Sequence, residues 1–200
     1  MSVSKIDMIV NEIFYSLQGE GFYSGTPSIF IRFSGCNLQC PFCDTQHQQG
    51  RTMSEEEIIE EVDHYKGLHV VITGGEPSLQ LTASLVDKLH AIGKYVAVET
   101  NGTHELPGNV DWITLSPKES FVKQSSARVK LTHCNELKVV FTGAPIADYS
   151  HIKAQHHFLQ PCDTGNKQKN ASILKATIDY CLDNPQWSLS LQMHKIVGVR

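Results

Sequence analysis

Two hundred residues, 40% of them hydrophobic, are enough for one ordinary domain spanning residues 1–200 with a full core. The net charge of −4 and the lack of any Lys/Arg run exclude the electrostatic footprint of a nucleic-acid binder, and no apolar stretch approaches membrane-span length. Residues 1–10 carry Lys5 and Asp7 in a short apolar patch without a signal-type core, so a cytoplasmic protein is expected.

In chain order, the first strand signal is the apolar run at 29–33. A helix start follows, with Ser54 as N-cap, Glu57 completing a capping box and Met53 placed to staple onto Ile58. Ile58, Ile59 and Val62 form its buried stripe. A second strand is predicted at 70–73, then a helical pattern through Leu81, Leu85, Leu89 and Ile92. Strands at 95–98 and 112–115 come next, followed by a polar segment, 118–135, without a clear period. Runs at 137–141 and 158–159 complete six strands, and Ile173, Leu174, Ile178 and Cys181 mark a third helix before Pro185.

Continuous apolar runs suit parallel strands buried on both faces. About six such strands with about three helices give an α/β chain that resembles a β/α barrel. It is shorter than the roughly 250 residues of a closed eightfold one, so an open, partial (β/α) barrel is expected. In such folds the chemistry sits at the C-terminal strand ends. Those ends carry Thr73-Gly74-Gly75-Glu76-Pro77, Glu99-Thr100-Asn101-Gly102, Ser116-Pro117-Lys118 and Gln160-Pro161-Cys162-Asp163, which should share one face.

Six cysteines, three clustered and three scattered, make no disulfide framework in a chain of this size. Cys36-Asn-Leu-Gln-Cys40-Pro-Phe-Cys43 directly follows the first predicted strand, and the spacing lets three thiolates reach three irons of a 4Fe–4S cubane. The fourth iron would stay open to a ligand such as S-adenosylmethionine (SAM), through its amino and carboxylate groups. Two plainer readings compete. Cys40 and Cys43 could form a thioredoxin-like pair, which leaves Cys36 idle. A structural zinc site in an interaction module would need a fourth ligand from His47 or distant Cys162. Cys134 and Cys181 share no spacing with these, and Cys181 reads as helix-core filler. His156-His157 would face opposite sides of a strand. Glu55-Glu56-Glu57 suits a solvated helix start.

The three-cysteine motif together with Gly74-Gly75-Glu76-Pro77 resembles the radical SAM superfamily, whose fold is an open partial barrel. More narrowly, the chain resembles the 7-carboxy-7-deazaguanine synthase family. The likeness runs through Glu12-Ile-Phe-Tyr-Ser-Leu-Gln-Gly-Glu-Gly21, Phe30-Ile-Arg-Phe-Ser-Gly-Cys36-Asn, Phe42-Cys-Asp-Thr45, Val98-Glu-Thr-Asn-Gly102, Ser116-Pro-Lys118, Glu136-Leu-Lys-Val-Val140, Gln160-Pro-Cys-Asp163 and Gln192-Met-His-Lys195, and covers nearly the whole chain. A glycyl-radical-enzyme activase shares the cysteine spacing, small size and Gly-Gly-Glu-Pro turn, but gives no reason for Leu17-Gln-Gly-Glu-Gly21 or Phe42-Cys-Asp-Thr45.

The resemblance implies a radical SAM carbon–nitrogen lyase that contracts 6-carboxy-5,6,7,8-tetrahydropterin to 7-carboxy-7-deazaguanine and ammonia, on the route to queuosine. It implies a 4Fe–4S cluster on Cys36, Cys40 and Cys43, recycled SAM, and Mg²⁺ on Thr45. The SAM contacts implied are Phe42, Cys43, Asp44, Gly75, Glu76, Ser116, Pro117, Lys118, Gln160, Pro161, Cys162 and Asp163. The substrate contacts implied are Leu17, Gln18, Gly19, Glu20, Arg32, Thr73 and Arg200, with Arg32 on the carboxylate and Arg200 acting through its main chain. A homodimer and a flavodoxin- or ferredoxin-type electron donor are implied as partners. Plainer readings stand beside these: Arg32 on an exposed strand face, Thr73 as a β-branched strand residue, Pro117 and Pro161 as strand-end breakers, Arg200 in a loose tail.

Overall fold

The apolar runs become strands because alternate side chains of each find a buried neighbour on either face. The computed structural model describes residues 7–123 and 125–200; residues 1–6, with Lys5 of the N-terminal patch, lie outside the described residues. In chain order the elements are β1 (Asp7–Leu17), β2 (Pro27–Phe33), β3 (Arg51–Ser54), α1 (Glu55–Asp63), β4 (His69–Gly74), α2 (Ala83–Ala91), β5 (Tyr95–Thr100), β6 (Trp112–Leu115), β7 (His133–Phe141), β8 (Lys153–Pro161), α3 (Lys167–Asp183), β9 (Ser188–Leu189) and α4 (Met193–Val197). Short 3₁₀ turns lie at Pro77–Leu79 and Ser125–Ala127.

These strands form one nine-stranded sheet in the order β3-β1-β2-β4-β5-β6-β7-β8-β9. From β2 to β9 all neighbours are parallel, while β1 runs antiparallel to both β2 and β3. The order has two free ends, so the sheet is open rather than closed. All six expected strands are present as β2 and β4–β8.

Alternation assigns the two faces. Ile29, Ile31 and Phe33 of β2, Val70 and Ile72 of β4, and Val96 and Val98 of β5 pack with Ile58, Val62, Leu85 and Leu89 of α1 and α2. Residues one step along, Phe30, Val71 and Ala97, join Phe14 and Trp112 in a separate cluster on the opposite face. Further along the sheet, Leu137, Val139, Phe141 and Leu159 are covered by Ala176, Tyr180 and Cys181 of α3. Each fully buried aliphatic side chain contributes about 1.5–3 kcal/mol.

The capping box of α1 is formed: Glu57 N–H donates to Ser54 Oγ (3.3 Å) and Ser54 N–H donates to Glu57 Oε2 (2.7 Å). Met53 belongs to β3, and it is buried in the same cluster as Ile58. α2 is capped by Thr82, whose Oγ1 accepts from Leu85 N–H at 3.0 Å. α3 corrects one expectation. Ile178 is exposed, and Thr177 takes the buried position, its hydroxyl donating to the Ile173 carbonyl at 2.7 Å. His156 lies against Phe22 and Trp112, whereas His157 meets Trp187, so the pair is divided as expected.

Candidate active site

The C-terminal ends of the parallel strands surround a cavity of about 600 Å³, a size ordinary for small-molecule sites. The four strand-end motifs all contribute to its wall, as do the loop after β1 and the thiol loop after β2. Of the residues to which the resemblance gives a contact, Pro117 is the exception: it is buried and does not line the cavity.

The thiol loop leaves β2 through Gly35, in the left-handed region at φ 85°. Gly35 N–H donates to the His47 carbonyl (2.7 Å), its own carbonyl accepts from Glu76 N–H (2.9 Å), and Cys43 N–H donates to the Cys40 carbonyl (3.1 Å). Cys36, Cys40 and Cys43 are all free and all face the one cavity. Burial pushes the Cys36 and Cys40 thiols up, and neighbouring thiolate charge pushes them further. Thiols raised in this way fit a cationic cluster that takes their protons' place. Among the described residues no three His, Cys, Asp or Glu side chains are grouped to hold a single metal ion.

The Gly-Gly-Glu-Pro segment needs its glycines. Gly74 has φ 125°, and a Cβ on Gly74 or Gly75 would strike the Phe33 or Gly35 backbone, because the ends of β2 and β4 touch there. Glu76 is fully buried. Its carboxylate accepts from Ser78 N–H (3.0 Å), Thr100 Oγ1 (2.6 Å) and Asn101 N–H (2.8 Å), tying β4 to the end of β5. Asn101 Nδ2 in turn donates to Asn37 Oδ1 (3.0 Å), and Asn37 Nδ2 to Thr103 Oγ1 (2.8 Å), so β5 also braces the thiol loop.

In the same cavity, Lys138 of β7 is buried with its Nζ 2.6 Å from Glu20 Oε2 and 3.4 Å from Glu99 Oε1. Burial alone would lower this ammonium, but the surrounding carboxylates of Glu20, Glu99 and Glu136 hold its pKa above the ordinary lysine value. Burial likewise pushes Glu20 up, yet the Lys138 charge and the donors around it hold its carboxyl down to about 2. Glu20 Oε1 also accepts from Gln160 Nε2 and Gln192 Nε2, both at 3.0 Å. Gln18 Nε2 donates to Glu99 Oε1 at 3.1 Å.

Arg32 is a cavity residue rather than a surface one. Its Nε donates to Glu12 Oε1 (2.8 Å) and its Nη1 to Thr45 Oγ1 (3.3 Å). The Arg200 guanidinium pairs with the other oxygen of Glu12 and lies 4.8 Å from the Phe14 ring centroid, while the Arg200 main-chain oxygen accepts from Ser16 Oγ (2.7 Å). This segment is therefore seated, not loose. Leu17, Gly19 and Thr73 complete this side of the wall. Phe42 lines the thiol side, edge-on to Phe121 at 4.8 Å. Lys118 Nζ donates to Ser116 O and Oγ (2.8 and 2.6 Å), and its burial lowers its pKa.

Across the mouth, Lys195 Nζ donates to Asp44 Oδ2 (2.9 Å) and Asp163 Oδ2 (3.0 Å), joining the thiol loop to the end of β8. Backbone donation from Gly165, then Lys195 and Asn170, hold Asp163 at about 2. Pro161 and Cys162 line the same end of β8. Sequence reasoning gave no role to Lys138, Glu99, Glu12, Gln192 or Lys195. The available signal was a charge within an apolar strand, Leu137-Lys138-Val139, which a core tolerates only when partnered.

An open parallel sheet with a three-cysteine loop after one strand and a Gly-Gly-Glu-Pro turn after the next defines a radical SAM enzyme, and the family described as the Radical SAM superfamily matches residues 30–119. The 7-carboxy-7-deazaguanine synthase of Bacteroides thetaiotaomicron is 49% identical over 191 residues, covering 96% of this chain and 98% of that one. The synthase of Haemophilus influenzae is 35% identical over 94% of this chain and 92% of its own length. The crystal structure of QueE from Escherichia coli superposes with a TM-score of 0.70 at 28% identity, covering 94% of this chain and 95% of that one. The chain belongs to the 7-carboxy-7-deazaguanine synthase family. Members of this family are radical SAM lyases that use a 4Fe–4S cluster, SAM and Mg²⁺.

Proposed function

We propose that this chain, acting as one radical SAM domain over residues 1–200, converts 6-carboxy-5,6,7,8-tetrahydropterin to 7-carboxy-7-deazaguanine and ammonia for queuosine synthesis. One observation carries the reading. A single cavity is lined both by three thiols fit for an iron–sulfur cluster and by an arginine, fixed carboxylates and amides fit for an acidic bicyclic substrate.

Cys36, Cys40 and Cys43 hold the cluster. When bound, cluster and SAM supply the one-electron chemistry that takes a hydrogen atom from the substrate and returns it. The Gly75 backbone and the second lone pair of Glu76 Oε2 receive the SAM ammonium, with Phe42, Asp44, Ser116, Lys118 and Gln160–Asp163 around the rest of it. Arg32 presents its fork to the substrate carboxylate once Glu12 turns away, since two N–H donors match two oxygens. Thr45, already within reach of Arg32, supplies an oxygen to Mg²⁺, a hard cation that keeps few protein ligands. Glu20, kept ionised by Lys138, orients the guanidine-like edge of the pterin beside Leu17, Gln18, Gly19 and Thr73, and the Arg200 main chain closes that side.

No helix among the described residues is long and apolar enough to cross a membrane. A cytoplasmic homodimer served by a flavodoxin- or ferredoxin-type donor accords with the family resemblance. The deciding assay mixes cluster-loaded, dithionite-reduced protein with SAM, Mg²⁺ and the carboxytetrahydropterin under anaerobic conditions, and identifies the product by mass. A deazaguanine carboxylate with one equivalent of ammonia is expected. SAM cleavage without any pterin product would refute the reading and turn attention to an activase.

A further inference from the structure

The segment joining β6 to β7 is polar and without period, yet it has a definite seat. Val122 and Ala127 are buried against Leu38, with Cys36, Cys40 and Phe121 alongside. This segment is the outer wall of the thiol loop. Its solvent side carries Lys123, Arg128 and Lys130, all exposed, each adjacent in sequence to a buried residue of the wall (Val122, Ala127 and Leu131). None of the three cations has an ion-pair partner among the described residues. The one acid in residues 119–130, Glu119, accepts from Val129 N–H at 2.6 Å. This stretch therefore has a net charge of +2 in a chain whose total is −4.

We propose that this basic wall is the docking surface for an acidic one-electron carrier protein that reduces the cluster, an inference that rests on the cluster reading given above. An electron from outside must cross protein close to the thiol loop, and this wall packs directly on Leu38 with Cys36 and Cys40 alongside. A partner of negative charge is repelled by an acidic chain in general and attracted here, so the encounter is steered to one orientation. Redox encounters are small and transient, and depend on charge more than on buried area. Three cations are too few to track a nucleic-acid backbone, where affinity grows with the number of phosphates met.

In the step itself the carrier is oxidised by one electron and the cluster is reduced by one, with no bond or proton exchanged. Because SAM is regenerated in the proposed reaction, that electron returns to the cluster after each turnover. The carrier thus primes the enzyme, and docking shows in the rate of cluster reduction rather than in steady-state turnover.

The test is stopped-flow reduction of the cluster-loaded chain by flavodoxin hydroquinone, followed by bleaching of the visible band at several salt concentrations. The second-order rate should fall as salt rises. The K123E/R128E/K130E variant should be slower by roughly ten- to hundred-fold at low salt and lose the salt dependence, with the glutamine triple variant in between. The visible band and dithionite-driven turnover of all three proteins should match. An unchanged rate and salt slope in the reversed variant would overturn the docking surface. Absence of deazaguanine product with dithionite would instead defeat the proposed reaction, leaving the reduction rates to decide docking by themselves.

Discussion

Burying an ammonium costs several kcal/mol unless carboxylates surround it, and Lys138 has Glu20 at 2.6 Å and Glu99 at 3.4 Å. The converse also holds: Lys138 keeps the Glu20 carboxylate ionised in a place that would otherwise protonate it. Replacing Lys138 by Met should therefore destabilise the fold by about 3–5 kcal/mol, read as a lowered urea midpoint, whereas a pure packing role would leave the midpoint nearly unchanged. Elsewhere in the cavity, Cys36→Ala, Cys40→Ala and Cys43→Ala each remove an iron ligand and should abolish SAM cleavage; turnover retained in any one of them would argue against the cluster. Arg32→Ala should raise the KM for the pterin by roughly ten- to hundred-fold, the worth of one or two charged hydrogen bonds, while substrate-free SAM cleavage persists. The cysteines were legible because spacing alone carries their chemistry. The pairing of Lys138 with Glu20 and Glu99, and of Lys195 with Asp44 and Asp163, was not, because these partners lie 32 to 151 positions away in sequence.

Elements were read where one signal dominated. The continuous apolar strands and the capping box of α1 came through, since local sequence is enough to specify each. β1 did not, because a bulge between Val10 and Glu12 breaks its alternation, and β3 and β9 are too short to show a period. α3 begins at Lys167, ahead of its first apolar position, because Lys167 to Ser172 bury nothing strongly hydrophobic. The wall between β6 and β7 buries Val122, Ala127 and Leu131, a spacing that matches neither helix nor strand. At this scale, Ser54→Ala should cost about 1 kcal/mol through loss of the α1 cap, measured by urea unfolding. An unaltered midpoint would mean that β3 pairing, not the cap, fixes the start of α1.

For the molecule as a whole, the open parallel sheet and the face that carries the site followed from strand order and strand-end composition, whereas the packing of the opposite face did not. There His69 is buried, with Nδ1 at 2.8 Å from Ser28 Oγ and its ring against Tyr23 and Tyr95. Burial holds its pKa at about 4 against an ordinary 6.5. Between those values the unfolded chain takes up a proton that the fold refuses, so stability is fully present above pH 6.5 and falls as pH drops towards 4. The loss amounts to about 3 kcal/mol at most. A His69→Gln chain should show a shallower decline of urea midpoint over that range, and parallel curves for the two proteins would remove His69 as the cause.

The clasp of Lys195 on Asp44 and Asp163 spans the mouth of the cavity, and ion pairs this exposed are worth little each, about 0–1 kcal/mol. A gate so lightly held sorts what leaves by size. With the clasp joined, ammonia should pass the rim more readily than a flat two-ring acid, so the two products should reach bulk water at different moments within one turnover. Followed continuously in solution, free ammonia by a coupled enzyme assay and the free deazaguanine by its absorbance, ammonia should lead, and loosening the gate with Lys195→Met should bring the heavier product forward to meet it.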